Sequence, residues 1–401
     1  MGWGRWLILK NYDNDNHYIK ILLAASLSMK ETTSSYDVVI VGAGPAGVGC
    51  AVALQDLGLK NFILLERQQV GASFSRWPAE MNLITPSFPS HGFGLLDLNA
   101  ITLKTSPAVA FRREHINGQQ YALYLQTVAN HFQLPVKTET DVLDIEPLSQ
   151  CRGFILKTSG GDIKTQFVIW AAGEFQYPRL NPFVGADHCI HNSQIRSWKN
   201  LPGDEFTIIG GYESGMDAAT NLVALGKSVR VLDRTGAWDN PDTDPSIALS
   251  PYTVQRVKLA VQTGRLELIG NVSIEEVKKV SEGYAVFSEY HKWLTAHPPI
   301  LCTGFETSLQ QIASLFDWSE GYAMLNDQDE STLTPGLFVV GPSVRHHDVI
   351  FCFIYKFRQR FAVVADAIAR RLDLDPAPLE IYRQQGMFLD DLSCCDNDCI
   401  C

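Results

Sequence analysis

The 401-residue chain contains no apolar run of the roughly 18 residues that a membrane-spanning helix needs. No membrane is therefore expected as a partner. Positive charge is also scarce. The 33 Lys and Arg face 44 Asp and Glu, a net charge of -11, which argues against nucleic acid or an anionic lipid surface. A secreted disulfide framework is missing too. Cys50, Cys151, Cys189, Cys302 and Cys352 are scattered singly, and that usage fits a reducing cytoplasm. What remains is a chain 46% hydrophobic and 19% charged, long enough for two or three domains with their own cores.

Both ends differ from the middle. Residues 1–35 carry a short apolar stretch, Ile19 to Leu27, behind a few basic residues. They are read as an N-terminal extension, with Met29 the natural first residue and a signal peptide the alternative. Residues 376–401 form a tail that ends in SCCDNDCIC.

Tyr36 to Glu66 holds the strongest pattern. Asp37 to Val41 is a continuous β-branched run expected to be a buried strand. Gly42-Ala43-Gly44-Pro45-Ala46-Gly47 follows as G-x-G-x-x-G, and Ala46 to Leu57 has helical apolar spacing ended by Gly58. Phe62 to Leu65 is the next strand, closed by Glu66. In this order the first glycine permits a tight turn, the second lets backbone approach a pyrophosphate, and the third lets helix pack on strand. The acid can take both ribose hydroxyls.

Phe206 to Arg234 repeats the plan. A strand, the turn Gly210-Gly211-Tyr212-Glu213-Ser214-Gly215, a helix from Met216 to Leu225 and a strand from Ser228 to Leu232 lead to Asp233 and Arg234. Tyr212 and Glu213 stand where small residues are usual. Asp233 suits the two free hydroxyls of NADH, and Arg234 suits the 2′-phosphate of NADPH. The reading leans to NADPH.

Two such motifs imply two dinucleotides: a resident flavin, FAD, and a visiting nicotinamide whose ring must reach the flavin across a shared cleft. Phe167 to Gly173 (FVIWAAG) and Pro299 to Gly304 (PILCTG) read as crossings between domains. Gly336 to Gly341 is a late strand, and Ile350 to Leu372 a long amphipathic helix. The expected fold is α/β, with two Rossmann-like three-layer domains. Residues 36–175 and 299–375 form a discontinuous flavin domain around a nicotinamide domain at 176–298, completed by a helix near Tyr252 to Thr263 and a strand at Leu266 to Ile269.

At this point the chain resembles the two-dinucleotide flavoproteins, most of all the flavin-containing monooxygenase-like branch that includes flavoproteins associated with cation-diffusion facilitators. The likeness rests on VVIVGAGPAGVGCAVAL, LLERQQVGASFSRWP, IWAAGEFQYP, IIGGYESGMDAA and TPGLFVVGP. It implies that Gly42, Gly44, Pro45, Ala46, Gly47, Glu66 and Arg67 hold FAD. It further implies that Ser73, Phe74 and Trp77 lie along the flavin, and that Met81 to Pro86, with Thr85, closes on the ring. Ala172, Gly173, Gly304 and Gly341 would complete this site, with Pro342 where many relatives have aspartate. Gly210, Gly211, Ser214, Gly215, Asp233 and Arg234 would hold the nicotinamide nucleotide. The F-x-G-x-x-x-H-x-x-x-[YF] fingerprint of true monooxygenases is not evident. The chain is also similar to bacillithiol-disulfide and thioredoxin reductases, although C-x-x-C is absent from both motifs and Ala46 stands where the former carry cysteine.

Cys394 and Cys395, followed by Cys399 and Cys401, resemble in kind the vicinal thiols on the tails of mercuric and large thioredoxin reductases. Asp390, Asp391, Asp396 and Asp398 surround them and disfavour thiolate. Redox relay, capture of a metal or metalloid, and no role in turnover all stay open. No residue is assigned as a resident metal ligand. His346 and His347 are the first proton-transfer candidates. Cys50 and Cys302 read as packing residues, and Cys352 as packing with some claim to the active site. Lys356, Arg358 and Arg360 read as a partly solvated helix face. Ser87 to Thr105 has no assignment.

The function expected is an FAD-dependent NAD(P)H oxidoreductase, monooxygenase-like, with thiol-disulfide or metal-ion reduction through the tail as the enzymatic alternative. A non-catalytic flavin-bound sensor is the third reading. Partners would be a small-molecule substrate or a disulfide or metal-ion acceptor, with a homodimer left open.

Overall fold

A computed structural model describes residues 34–88, 96–148, 153–242 and 244–393. The expectations for residues 1–33, for Cys151 and for Cys394, Cys395, Cys399 and Cys401 lie outside these residues.

The first domain is built on β1 (Ser34–Val41), whose residues Val38 to Val41 are buried. Helix α1 (Pro45–Asp56) returns the chain to β2 (Phe62–Leu65), which runs parallel to β1 with Val38 opposite Phe62 and Val41 opposite Leu65. Both faces of this sheet are covered, so its strands are apolar throughout. Helix α2 (Gly118–His131) begins at a capping box between Asn117 and Gln120. It leads to β3 (Val136–Lys137) and then to a meander of β4 (Val142–Pro147), β5 (Phe154–Thr158) and β6 (Ile163–Trp170). The spatial order is β3-β2-β1-β6-β5-β4. The late strand Leu337–Val339 pairs in parallel with the end of β6, Leu337 opposite Val168 and Val339 opposite Trp170. The domain is therefore discontinuous in sequence.

The second domain is a five-stranded parallel sheet. Its strands Glu205–Ile209, Ser228–Leu232 and Leu266–Ile269 alternate with helices α3 (Glu213–Ala224) and α4 (Pro251–Gln262). A three-stranded antiparallel sheet, residues 274–295, follows. The return was expected to begin at Pro299. Instead Ile300–Leu301 pairs with Ile208–Ile209 and with Ile190–His191, inside the second sheet. The chain leaves that sheet only after Leu301, because the apolar pair completes its core beside Ile208.

The long helix expected from Ile350 to Leu372 is broken. Cys352 precedes it in extended chain. One turn spans Ile354–Phe357, a tighter 3-10 turn spans Arg358–Arg360, and α5 covers Phe361–Arg371. The reason lies in the three cations of this segment. They are buried, not partly solvated: Lys356 and Arg358 are 6% exposed and Arg360 0%. Each finds fixed acceptors. Lys356 Nζ reaches both oxygens of Asp244, at 2.7 and 2.8 Å. Arg358 donates to the carbonyls of Asp97 and Ala100. Arg360 makes two 2.9 Å bonds to Asp329. Helix α5 then packs on α1 so closely that a Cβ on Gly49 would meet the Phe361 ring at 2.0 Å. Among the described residues no helix is long and apolar enough to cross a membrane.

Candidate active site

A cavity of about 380 Å³ runs from the end of β1 to the start of α3. Its floor is the first glycine turn. Gly42 has φ +102°, and a Cβ there would meet the Ala171 carbonyl oxygen at 2.6 Å; a Cβ on Gly47 would meet the Gly42 oxygen at 1.9 Å. Those two glycines are required by the protein itself. Gly44 is different. A Cβ on it would meet nothing within 4 Å, yet the residue lines the cavity. No side chain caps α1, so its first N–H groups are left for a ligand. Glu66 is held at the end of β2 by Ala43 N and Gln68 N, both donating at 2.8 Å. This geometry fits a dinucleotide pyrophosphate and ribose.

Most of the expected flavin residues come together here. Gly42, Gly44, Pro45, Ala46, Glu66, Arg67, Ser73, Phe74, Trp77, Thr85, Ala172, Gly173 and Pro342 all line the cavity. Phe74 packs against Trp77 and Tyr121, with ring centroids 4.8 and 4.7 Å apart. Gly47 and Gly341 lie behind the wall. A Cβ on Gly341 would meet the Ala46 Cβ at 3.3 Å.

The second motif contributes less. Ser214 lines the cavity, while Gly210, Gly211, Gly215, Asp233, Arg234 and Gly304 do not. The frame is repeated: a Cβ on Gly215 would meet the Gly210 oxygen at 1.9 Å. Its mouth is not open as in the first motif, because Tyr212 replaces the second glycine and Trp238 Nε1 donates to the Gly211 carbonyl at 2.8 Å. Burial pushes the Asp233 carboxyl up, but the N–H groups of Gly236, Gly211 and Thr235 win and hold it below the usual range. Arg234 is exposed and makes no hydrogen bond or ion pair among the described residues.

The two histidines are not at the cavity. His346 is buried beside the Asp329–Arg360 pair, with Nε2 2.5 Å from Asp329 Oδ1. His347 is exposed on a positive-φ turn. The hairpin at Arg345–Ile350 turns them away, and Cys352, Phe353, Ile354 and Phe357 line the wall in their place. Besides Glu66, four acids line it that carried no site assignment: Asp141, Glu174, Glu213 and Asp217. Burial raises the carboxyl of Glu174. It also raises Glu213, against hydrogen bonds from Ser250 and Thr253, and Asp217, against Arg256. The available signal for Glu174 was its place directly after the crossing glycine, Gly173. Cys352 donates Sγ–H to Ser246 Oγ at 3.1 Å, and burial pushes this thiol up as well. Cys50 and Cys302 are buried in the cores.

Comparison with known proteins agrees with this architecture. An oxidoreductase of Bacillus velezensis named CzcO, described as uncharacterized, is 26% identical over 195 residues, 47% of this chain and 52% of that protein. The match thus spans about half of that relative. Bacilliredoxin reductase Bdr of Bacillus subtilis is 23% identical over 339 residues, 83% of this chain and 97% of Bdr. Among solved structures, bacillithiol disulfide reductase Bdr from Staphylococcus aureus superposes with TM-score 0.71 at 18% identity, covering 84% of this chain and 99% of that one. A flavin-containing monooxygenase from Stenotrophomonas maltophilia gives TM-score 0.65 at 14% identity over 85% and 100% of the two chains. These likenesses show a fold of two Rossmann-like dinucleotide-binding domains. The model of the family described as "Pyridine nucleotide-disulphide oxidoreductase" matches residues 39–341, and the chain belongs to that enzyme family of flavin- and pyridine-nucleotide-dependent oxidoreductases.

Proposed function

We propose that the protein is an FAD-dependent oxidoreductase of the monooxygenase-like type, its flavin reduced by NAD(P)H and discharged at the inter-domain cavity. The observation that carries this reading is the continuity of that cavity, from Gly44 and Glu66 in one domain to Glu213 and Ser214 in the other. FAD, when bound, supplies the two-electron chemistry. In this reading Gly44, Pro45 and Ala46 present backbone to its phosphates, Glu66 and Arg67 hold its ribose end, and Phe74, Trp77 and Phe357 exclude water from the ring end. The Glu174 carboxyl, raised by burial and without a side-chain hydrogen bond or ion pair among the described residues, is the group we assign to give or take a proton in the cavity.

The test is anaerobic reduction of FAD-loaded protein by NADPH, followed by admission of air. Bleaching and then steady NADPH consumption is the expected course. Failure to bind FAD after reconstitution would end the reading.

A second reading, reduction of a disulfide, is favoured by one observation: the thiol of Cys352 lies on the cavity wall. Its test is a count of the thiols that NADPH releases from an added small disulfide, two per NADPH consumed, on the full chain and on a chain cut after Leu392. New thiols that survive the cut point to Cys352. New thiols that vanish with it point to the tail.

A further inference from the structure

The two glycine turns share a backbone and differ at the mouth. Gly42 and Gly210 have φ of +102° and +100°, and in both motifs the last glycine is forced by a 1.9 Å approach to the first glycine's oxygen. The frames are equivalent. Where the first motif has Gly44 and then Pro45, the second has Tyr212 and Glu213.

Both side chains are tied to the segment that leads into α4. The Tyr212 hydroxyl donates to the carbonyls of Pro245 and Ala248, at 2.7 and 2.8 Å. Glu213 is the first residue of α3. One of its oxygens accepts from Ser250 N and the other from Thr253 Oγ1, both at 2.5 Å. Ser250 is the N-cap of α4. The carboxylate thus sits between the N-termini of two helices, where partial positive charge favours an anion. The matching residue of the first motif is Pro45, which lines the cavity at the turn that fits a pyrophosphate. The other acid of this face, Asp217, is already paired with Arg256 Nη1 at 2.8 Å. Glu213 has no such cation within ion-pair distance among the described residues. Trp238 lies over the same turn: a Cβ added to Gly211 would be 2.9 Å from its Nε1.

We propose that Glu213, with Tyr212 beside it, is a built-in stand-in for the phosphate of a pyridine nucleotide, so that the nucleotide binds the second domain only by displacing this carboxylate from Ser250 and Thr253. The inference rests on the reading that a pyridine nucleotide visits this domain. It makes Glu213 a determinant of nucleotide affinity, set against binding by charge and by occupancy. It also explains why the second motif contributes so little to the cavity wall.

The test is calorimetric titration of NADP⁺ into FAD-loaded protein, in the wild type, Glu213→Gln and Tyr212→Gly. Glutamine can still accept from Ser250 N and donate to Thr253 Oγ1, so the helix junction is kept while the charge is lost. Removing a like charge within about 5 Å of a bound phosphate is expected to tighten binding roughly tenfold or more. Tyr212→Gly should tighten it through space alone. It decides the matter if Glu213→Gln loses FAD or melts early. Unchanged or weaker binding in the variants overturns the proposal, because Glu213 would then be neutral or a nucleotide contact. Absence of binding in all three forms overturns it too, since no site is uncovered. Flavin reduction by excess NADPH, followed separately in the wild type, reports on the oxidoreductase reading alone.

Discussion

Two glycines three residues apart in one turn should respond to the same substitution in opposite ways. Gly44→Ala adds a methyl that meets no protein atom within 4 Å. The residue has φ -80° and ψ -171°, a conformation alanine adopts freely, so the apo-protein should be unchanged or stabilised by about 0.4–1 kcal/mol through the unfolded chain. The methyl instead enters the cavity at the phosphate end. If it costs two charge-assisted hydrogen bonds of about 1.5–3 kcal/mol each, FAD affinity falls by roughly 10²- to 10⁴-fold. Gly47→Ala is the reverse case. Its methyl would lie 1.9 Å from the Gly42 carbonyl oxygen, a backbone atom tied into the turn. The fold must move, at a cost of several kcal/mol. The assays are urea unfolding of both apo-proteins and fluorescence titration of each with FAD. Gly44→Ala that unfolds like Gly47→Ala, or that binds FAD as the wild type does, refutes the argument that this glycine is there for a ligand.

Three further outcomes are expected. Arg360→Met leaves Asp329, 0% exposed, with His346 as its remaining side-chain partner, and should cost about 3–5 kcal/mol in urea unfolding; a loss below 1 kcal/mol would show that the pair is not structurally coupled. Glu174 has a folded-state pKa raised by burial, so the folded state holds its proton longer than the unfolded chain and stability falls as pH rises through that interval. Glu174→Gln should flatten this segment of the stability-against-pH curve, and an identical curve in the variant would remove Glu174 from the buried acids. Arg234→Ala should raise KM for NADPH and leave KM for NADH unchanged if this exposed side chain meets the 2′-phosphate; parallel changes for both nucleotides would reject that role.

Local sequence determined a good deal. The turns Gly42–Gly47 and Gly210–Gly215, their strands and their helices are contiguous segments whose steric demands act between near neighbours. Glu66 and Asp233 are placed by hydrogen bonds from their own turns, within about one strand–helix–strand unit. These features were legible because the residues that cause them are close in the chain. The assignment of Lys356, Arg358 and Arg360 to solvent failed for the opposite reason. Alternate cations on a helical stretch read as an exposed face unless Asp244, Asp97 and Asp329 are known to lie against them, and those partners come from distant segments. The same holds for His346, drawn inward by Asp329, and for Cys352, brought to the cavity wall by the hairpin before it. Whether the second motif is open could not be read locally either. Tyr212 and Glu213 are visible departures in sequence, but only the tertiary structure brings Pro245, Ala248, Ser250 and Thr253 against their side chains and Trp238 against Gly211. The sequence by itself determined two dinucleotide folds and most of the turn residues that gather on the first cavity; the tertiary structure decided which charges are buried, which acids face the cavity and that the Glu213 carboxyl is held by Ser250 and Thr253. The physical reason is one of range: backbone sterics and turn hydrogen bonds act locally, whereas burial and charge pairing are set by whatever the fold places alongside.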